Sequence, residues 1–193
     1  MDFSVSLPQW LQHEISSLPE SIPNIDEQMA HVIKCSRLNI EHDTGGPFAA
    51  AVFEKESGKH ISTGVNRVMP EACSSAHAEV VALSMAQKLL STWDLSSLDH
   101  SYQLVVNWRP CIMCYGAVIW SGVQTLITAG DSHELETITG FDEGPVPDNW
   151  IEELNKRGID VINNIGKSDA IEVYRAFKQS GKHVYNARSN VNI

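Results

Sequence analysis

The 193-residue sequence predicts a single α/β domain, a three-layer α/β/α sandwich built on a mixed five-stranded sheet. Two observations support this fold class. Segments in which apolar residues recur every three to four positions alternate with short β-rich runs, so helices and strands follow one another along the chain. No internal repeat, low-complexity stretch or linker interrupts this alternation, and a chain of this length buries roughly 70% of its unfolded surface. We therefore expect one core and one domain.

The first third of the chain is expected to form an arm, a helix and a β-hairpin. Residues 1–23 are predicted to be an extended N-terminal arm, because prolines break any long helix there (Pro8, Pro19 and Pro23). Residues 26–41 carry apolar side chains at helical spacing, with Asp26 as a plausible N-cap. The β-rich runs 48–53 and 60–66 flank a polar turn, which predicts a hairpin.

The rest of the chain continues the alternation, with helices that carry a broad apolar stripe suited to packing on a sheet. The predicted elements are a helix at 77–90, a strand at 103–108, a helix from Pro110 to about Ser121, strands at 124–129 and 158–162, and a helix at 168–179. A further helix is expected between the last two strands, and residues from about 180 to 193 form a C-terminal tail. The parallel connections and the hairpin together make the sheet mixed.

Composition narrows the possible partners. The chain has 14 Lys and Arg against 24 Asp and Glu, a formal net charge of −10. Because proteins that hold nucleic acid usually present a basic patch, this balance favours a small uncharged substrate over a polyanion. No run approaches the ~18 apolar residues of a membrane span, and the first residues lack the features of a secretory signal. Four cysteines without a disulfide framework fit reduced thiols and a cytoplasmic location.

Two short segments carry the chemistry. His77-Ala78-Glu79 and Pro110-Cys111-Ile112-Met113-Cys114 lie 34 residues apart, measured from His77 to Cys111. Together they offer one imidazole, two thiolates and a spare carboxylate, and three protein ligands leave tetrahedral zinc with the open position of a catalytic site. This order and spacing are typical of the zinc deaminases of nucleobases. Both segments are expected at helix N-termini, where the helix dipole favours thiolates.

Other interpretations of these residues stay open. Cys111 and Cys114 could form a redox pair, and the cluster could be a structural zinc site with Cys73 or Glu79 as fourth ligand. If the site is catalytic, Glu79 lies two residues beyond His77 and faces the metal's bound water instead of the metal. We then expect Glu79 to take a proton from water that attacks the amine-bearing ring carbon, and to deliver it to the ring nitrogen.

Beyond these motifs the sequence resembles the cytidine deaminase-like superfamily, and more closely the bacterial guanine deaminases of that fold, some of which also accept ammeline. The likeness runs from Asp26 to Arg188 and includes five further segments, 45–52, 64–68, 117–123, 140–145 and 185–188. The Gly-Phe-Asp-Glu sequence at 140–143 is the part that points to guanine. The resemblance implies one zinc ion per chain, hydrolysis of guanine to xanthine and ammonia, and a homodimer. In some relatives the C-terminal segment, here with Tyr185, Asn186 and Arg188, covers the partner's active site.

The resemblance also assigns roles to single residues. They are zinc ligation by His77, Cys111 and Cys114, catalysis by Glu79 and Glu143, and substrate contact by Phe48, Asn66, Ala78 and Asp142. Phe48 would stack on the base, Asn66 would present its amide to the polar edge of the ring, and Glu143 would assist departure of ammonia. Three of these residues also have a simpler alternative. Phe48 could be a core residue, Asn66 could form a turn at the strand end, and Glu143 could be an ordinary loop carboxylate. Asp142 is the competing candidate for the role of Glu143.

One departure from the family pattern affects the substrate prediction. Relatives commonly have Glu before the Pro-Cys pair, whereas this chain has Trp108-Arg109. Arg109 could favour the thiolates, bind a substrate carbonyl or point to solvent, and Trp108 could wall the pocket or belong to the core. Deamination of ammeline, guanosine or another aminopurine therefore stays an alternative. Less favoured are tRNA adenosine deamination and a zinc-binding scaffold without catalysis.

Overall fold

A five-stranded mixed sheet forms the centre of the structure, a computed structural model that describes residues 4–187. The strands are β1 (Ala49–Glu54), β2 (His60–Val65), β3 (Tyr102–Val106), β4 (Thr125–Thr128) and β5 (Asp160–Ile162). Their order across the sheet is β2-β1-β3-β4-β5. Strand β1 pairs antiparallel with β2 and β3, whereas β3, β4 and β5 run parallel. The mixed sheet and its hairpin are confirmed.

Helices cover both faces of this sheet. They are α1 (Gln9–Ser16), α2 (Ile25–Glu41), α3 (Ala78–Leu89), α4 (Ile112–Ser121), α5 (Glu134–Thr139), α6 (Trp150–Asn155) and α7 (Lys167–Gln179). Strand β1 separates two apolar cores, because successive side chains of a strand point to opposite faces. Ala49, Ala51 and Phe53 pack with residues of α1, α2, α5 and α7. Ala50 and Val52 pack with residues of α3, α4 and α6. The three-layer α/β/α sandwich is therefore confirmed.

The N-terminal arm is not extended, so this expectation is wrong. Pro8 is the N-cap of α1, where its missing N–H costs no hydrogen bond, and eight helical residues fit before Pro19. The helix forms because Leu11 is fully buried in the core of the α2 and α7 face. Tertiary packing of Leu11, together with the partly buried Trp10 and Ile15, thus stabilises this short helix.

Two helix starts also differ from prediction. The N-cap of α2 is Asn24, whose side chain accepts a hydrogen bond from the Asp26 backbone amide. Helix α4 begins at Ile112, so Pro110 precedes it and Cys111 is its N-cap. The single helix expected between β4 and β5 is two short helices, α5 and α6. Among the described residues, no helix combines the length and the apolar character needed to cross a membrane.

Candidate active site

Two helix N-termini meet beside the carboxyl end of β3. His77 is the N-cap of α3, Cys111 is the N-cap of α4, and Cys114 lies in the first turn of α4. Gly64 of β2 allows this approach, because a Cβ atom there would lie only 2.6 Å from the Ala82 backbone nitrogen. The close contact between β2 and α3 places His77 within reach of the cysteines.

The three side chains form a compact ligand cluster. The Nδ1 atom of His77 lies 3.5 Å from the sulfur of Cys111 and 3.5 Å from that of Cys114. All three ligand atoms lie within 4.8 Å of one another. With Zn–S bonds of about 2.3 Å and Zn–N bonds of about 2.0–2.1 Å, tetrahedral zinc separates sulfur and nitrogen by about 3.6 Å. Both the donor types and their spacing therefore fit zinc.

The electrostatics of the cluster also favour a cation. A hydrogen bond from Cys114 lowers the pKa of Cys111 to about 4, and contact with His77 adds to this. Burial alone would lower the pKa of His77, but its hydrogen bond to Cys111 and the negative charge of Glu79 raise it overall. A thiolate is thus already stabilised at this position, and thiolate is the form of cysteine that binds metal.

Glu79 lies in the first turn of α3 and is only 6% exposed. Burial raises the pKa of its carboxyl group, and the negative charge at Cys111 raises it further. It is not one of the three residues whose ligand atoms cluster. A buried carboxyl group with a raised pKa beside a ligand cluster is suited to transferring protons near neutral pH.

A cavity of about 260 Å³ opens beside the cluster. His77, Glu79 and Cys111 form its inner end, and Phe48 is part of its wall. The Phe48 ring packs edge-on against Phe141, with 5.1 Å between centroids. Phe48 thus contacts the apolar cores and also faces the cavity.

The loop after α5 brings two acidic residues to the cavity, Asp142 and Glu143, and they make different hydrogen bonds. The Asp142 carboxylate accepts a hydrogen bond from the Gly144 backbone amide, so it shapes the turn. The Glu143 backbone carbonyl accepts from the amide of Ile112, which ties this loop to the start of α4. Burial, followed by the negative charges at Cys111 and Glu79, raises the pKa of the Glu143 carboxyl group to about 8. Of the two candidates, Glu143 is the one suited to proton transfer.

Two of the residues expected to contact substrate do not line the cavity. Ala78 is fully buried among the residues of the α3 and α4 face. Asn66 is 1% exposed, and its side-chain oxygen accepts from the amides of Gly46, at 3.4 Å, and Val68, at 3.3 Å. Both hydrogen bonds hold the segments next to the end of β2. Within residues 4–187 its side-chain nitrogen has no hydrogen-bond partner.

Comparison with known proteins places this site in a family. Residues 23–129 match the model of the cytidine and deoxycytidylate deaminase zinc-binding region. The chain belongs to this family. Its metal site is accordingly a zinc site, and the predicted resemblance is confirmed.

Solved structures extend the likeness beyond the family region. A guanine deaminase from Nitrosomonas europaea is 44% identical, with a TM-score of 0.87 over 92% of this chain and 97% of that one. A structure in complex with 2,6-diaminopurine is 45% identical, with a TM-score of 0.88 over 96% of this chain and 97% of that one. Further similar structures are an Asn→Ala variant and a Glu→Asp variant, each in complex with 8-azaguanine.

Curated relatives match shorter segments. The guanine deaminase of Bacillus subtilis is 33% identical over 114 residues, which are 59% of this chain and 67% of the relative. A tRNA-specific adenosine deaminase of Buchnera aphidicola is 34% identical over 88 residues, 46% of this chain and 54% of that relative.

In this deaminase, the two unusual residues before Pro110 are Trp108, which is buried, and Arg109, which is partly buried. Trp108 is 2% exposed, packs at 89° against Tyr174 and donates its indole N–H to the Ser132 carbonyl. Arg109 pairs with Glu136 at 3.2 Å, and its side chain is 10% exposed. The guanidinium is therefore held by a carboxylate and does not point to solvent. Trp108 belongs to the core and also lines the cavity.

The deaminase also has a covering segment at its C-terminal end. Asn186 accepts from the Asp142 amide and donates to the Gly140 carbonyl, at 3.0 and 2.8 Å. Tyr185 packs on Phe141, with 4.9 Å between ring centroids, and lines the cavity. Residues 185–187 thus pack on the site of their own chain, whereas Arg188 lies outside the described residues. Sequence alone could not locate these contacts, because they join residues more than 40 positions apart.

Proposed function

We propose that this protein is a zinc-dependent guanine deaminase, which converts guanine and water to xanthine and ammonia. The observation that carries the proposal is the similarity to the guanine deaminase from Nitrosomonas europaea, at 44% identity over nearly the full length of both chains. The 8-azaguanine and 2,6-diaminopurine complexes of similar proteins support a purine-sized ligand. The cavity beside the ligand cluster, with its aromatic wall, is consistent with a planar base.

His77, Cys111 and Cys114 hold the metal in this proposal. Zinc at such a site would supply Lewis-acid activation of water, which lowers the pKa of the bound water to about 7. The chain's own contribution is to present two sulfurs and one nitrogen from two helix N-termini, where helix dipoles stabilise the thiolates. These three residues would be the protein ligands of the metal, in the three-ligand pattern typical of catalytic zinc sites.

Glu79 moves the protons. Its carboxylate accepts a proton from the attacking water and passes it to the ring nitrogen next to the amine-bearing carbon. Attack of the water oxygen on this carbon and cleavage of the C–N bond then give xanthine, with a second proton transfer to the leaving amine to release ammonia. The raised pKa of Glu79 suits a group that both accepts and donates.

The surrounding residues position the base. Phe48 stacks on the ring, a contact worth roughly 1–3 kcal/mol. Glu143 assists ammonia departure, whereas Asp142 acts through the loop that it shapes. Asn66 presents its unpartnered amide nitrogen to the polar edge of the ring, and Ala78 contributes at most backbone. The Asn and Glu variants of similar proteins crystallised with 8-azaguanine support these two residue types as ligand contacts.

Other substrates are less well supported. The relatives that act on tRNA adenosine match only short segments, such as 88 residues, and the net charge of −10 disfavours a polyanion. Ammeline, guanosine and other aminopurines share the amine-bearing ring and remain the competing substrates. A silent zinc-binding scaffold does not account for a buried carboxyl group beside the ligand cluster.

We also propose a cytoplasmic homodimer. All four cysteines are free, as expected in a reducing compartment. Three large apolar residues of α4 are exposed on the surface, namely Ile112, Met113 and Trp120, and such a group favours a protein interface. The contacts of Asn186 favour an arrangement in which each chain covers its own active site, not a swapped tail.

An ammonia-release screen tests the substrate. Guanine, guanosine, ammeline, adenine, cytosine and cytidine are each incubated with the zinc-loaded protein and with a chelated control. We expect the largest kcat/KM with guanine and little activity with guanosine. A larger kcat/KM for ammeline or guanosine would overturn the guanine assignment, and no ammonia from any base would favour the scaffold.

A further inference from the structure

Asn107 makes an unusual set of hydrogen bonds at the end of β3, where the sheet ladder stops. It is fully buried and lies four residues before Cys111. Its side-chain oxygen accepts from the Ala49 amide at 3.0 Å, and its side-chain nitrogen donates to the Pro47 carbonyl at 2.9 Å. The same nitrogen donates to the Tyr174 hydroxyl at 2.9 Å, and that hydroxyl donates back to the Asn107 carbonyl. Both amide hydrogens are therefore used.

The two backbone groups that Asn107 binds lie on either side of Phe48. The Phe48 carbonyl itself accepts from the Asn66 amide at 3.0 Å. These hydrogen bonds fix the backbone before, at and after Phe48 and therefore the direction of its Cα–Cβ bond. That direction is toward the cavity wall, where the ring contacts Phe141 and lies 6.1 Å from the Tyr174 ring.

Asn107 also links this ring to the metal ligands through a short piece of chain. We call the hydrogen bonds of Asn107 to Pro47 and Ala49 the Phe48 clamp. Residues 107–111 connect this clamp to Cys111, and within this segment the Arg109 amide donates to the Gly130 carbonyl. A buried, fully bonded side chain loses little entropy on ligand binding and holds its partners rigidly. The Asn107 side-chain amide thus contributes directly to the position of the ring relative to the zinc ligands.

We propose that Asn107 is a positioning residue for base binding, which acts by holding Phe48 at the correct distance from the zinc ligands. This inference rests on the proposed function, because it assumes that Phe48 stacks on the substrate base. An amide is required at this position, since it must accept from one backbone group and donate to another at the same time. Neither a carboxylate nor a hydrocarbon can do both.

Three variants separate positioning from general stability. Asn107→Leu keeps the branched shape of the side chain and removes the hydrogen bonds, whereas Tyr174→Phe removes one partner and leaves the bonds to Pro47 and Ala49. Gln28→Met is the matched control: Gln28 is equally buried, and its side chain bonds to Gln103 near the opposite end of β3. We expect Asn107→Leu to raise KM for guanine about tenfold with smaller loss of kcat and full zinc content, as for lost uniform binding. Gln28→Met should lower thermal stability similarly and leave KM unchanged.

A double-mutant cycle tests whether Asn107 acts through Phe48. In a Phe48→Leu background, Asn107→Leu should change KM less than about twofold, because the ring that it positions is gone. Equal effects in both backgrounds, or an unchanged KM for Asn107→Leu alone, would overturn the inference. If Asn107→Leu is too unstable to assay, Asn107→Asp replaces it, because a carboxylate accepts from the Ala49 amide but cannot donate to the Pro47 carbonyl; its expected KM increase of about threefold also vanishes without Phe48.

A measurement without substrate distinguishes failure of the positioning role of Asn107 from failure of the proposed function. Hydrogen exchange of the Ala49 amide should accelerate in Asn107→Leu and stay slow in Tyr174→Phe and Gln28→Met. Failure of the wild-type protein to deaminate guanine would contradict the proposed function only. Slow Ala49 exchange in Asn107→Leu would contradict the clamp itself, whatever the substrate.

Discussion

Replacement of Glu79 by glutamine tests the proton-transfer role most sharply. The two side chains have nearly the same shape, and the site is only 6% exposed, so the packing of α3 on the sheet should persist. The zinc ligands should also persist, because His77, Cys111 and Cys114 cluster without Glu79. The substitution therefore removes a proton carrier and leaves the metal site intact.

The expected loss follows from the role of the carboxyl group. General acid–base assistance is worth typically ~10²–10⁴ in rate, and Glu79 serves both the attacking water and the ring nitrogen. We expect kcat to fall by about 10³-fold or more, which corresponds to about 4 kcal/mol of barrier. KM should stay within about threefold, because the base is held by other residues.

The stability of the metal-free Glu79→Gln variant should not fall with its kcat. Burial raises the pKa of Glu79, so ionisation at neutral pH favours the unfolded chain and opposes folding. Glutamine has no charge to desolvate, and the metal-free variant should unfold at a temperature no lower than the metal-free wild type. Steady-state ammonia release, zinc analysis and thermal unfolding measure the three quantities. Full turnover with zinc retained would refute the proton-transfer role, and loss of zinc would identify Glu79 as a ligand.

Three further outcomes can be checked with simple assays. Glu143→Gln should lower kcat about 10²-fold, whereas Asp142→Asn, which can still accept the turn hydrogen bond, should cause a clearly smaller fall in the same ammonia assay. Burial lowers the pKa of both His31 and His60 from 6.5 to about 4, so the contribution of these two histidines to stability should be constant above pH 7 and fall as the pH drops from 6.5 to 4. Each lowered pKa corresponds to up to about 3 kcal/mol of stability, measured as urea midpoints against pH, and His31→Gln should flatten the fall. Gly64→Ala should destabilise by about 1–3 kcal/mol and lower zinc affinity, because the new methyl group meets the α3 backbone.

The metal cluster could be predicted from sequence because its residue types are diagnostic and each lies at a helix start. Two cysteines three positions apart share one helix face, and a proline before them marks the helix start, which limits the possible arrangements. The sheet and its hairpin follow from patterns of a few residues. Local signals of this kind need no knowledge of distant partners.

Features that depend on contacts between residues far apart in the chain could not be predicted from the sequence. Helix α1 forms because Leu11 is buried by other elements, so the prolines around it wrongly predicted an extended arm. The role of Arg109 depends on Glu136, which lies 27 residues away. The bonds of Asn107 to Pro47 and Ala49 span 60 and 58 residues. No local pattern distinguishes such a clamp from an ordinary asparagine after a strand.

The central claim, guanine deamination at a zinc site, is tested most directly by titrating the metal-free protein with zinc while xanthine formation from guanine is followed. The account predicts no xanthine without metal, a linear rise in rate, and a plateau at about one zinc per chain. Ammonia should appear in a one-to-one ratio with xanthine. Xanthine formation by the metal-free protein, or a zinc-saturated protein that leaves guanine unchanged, would contradict the account.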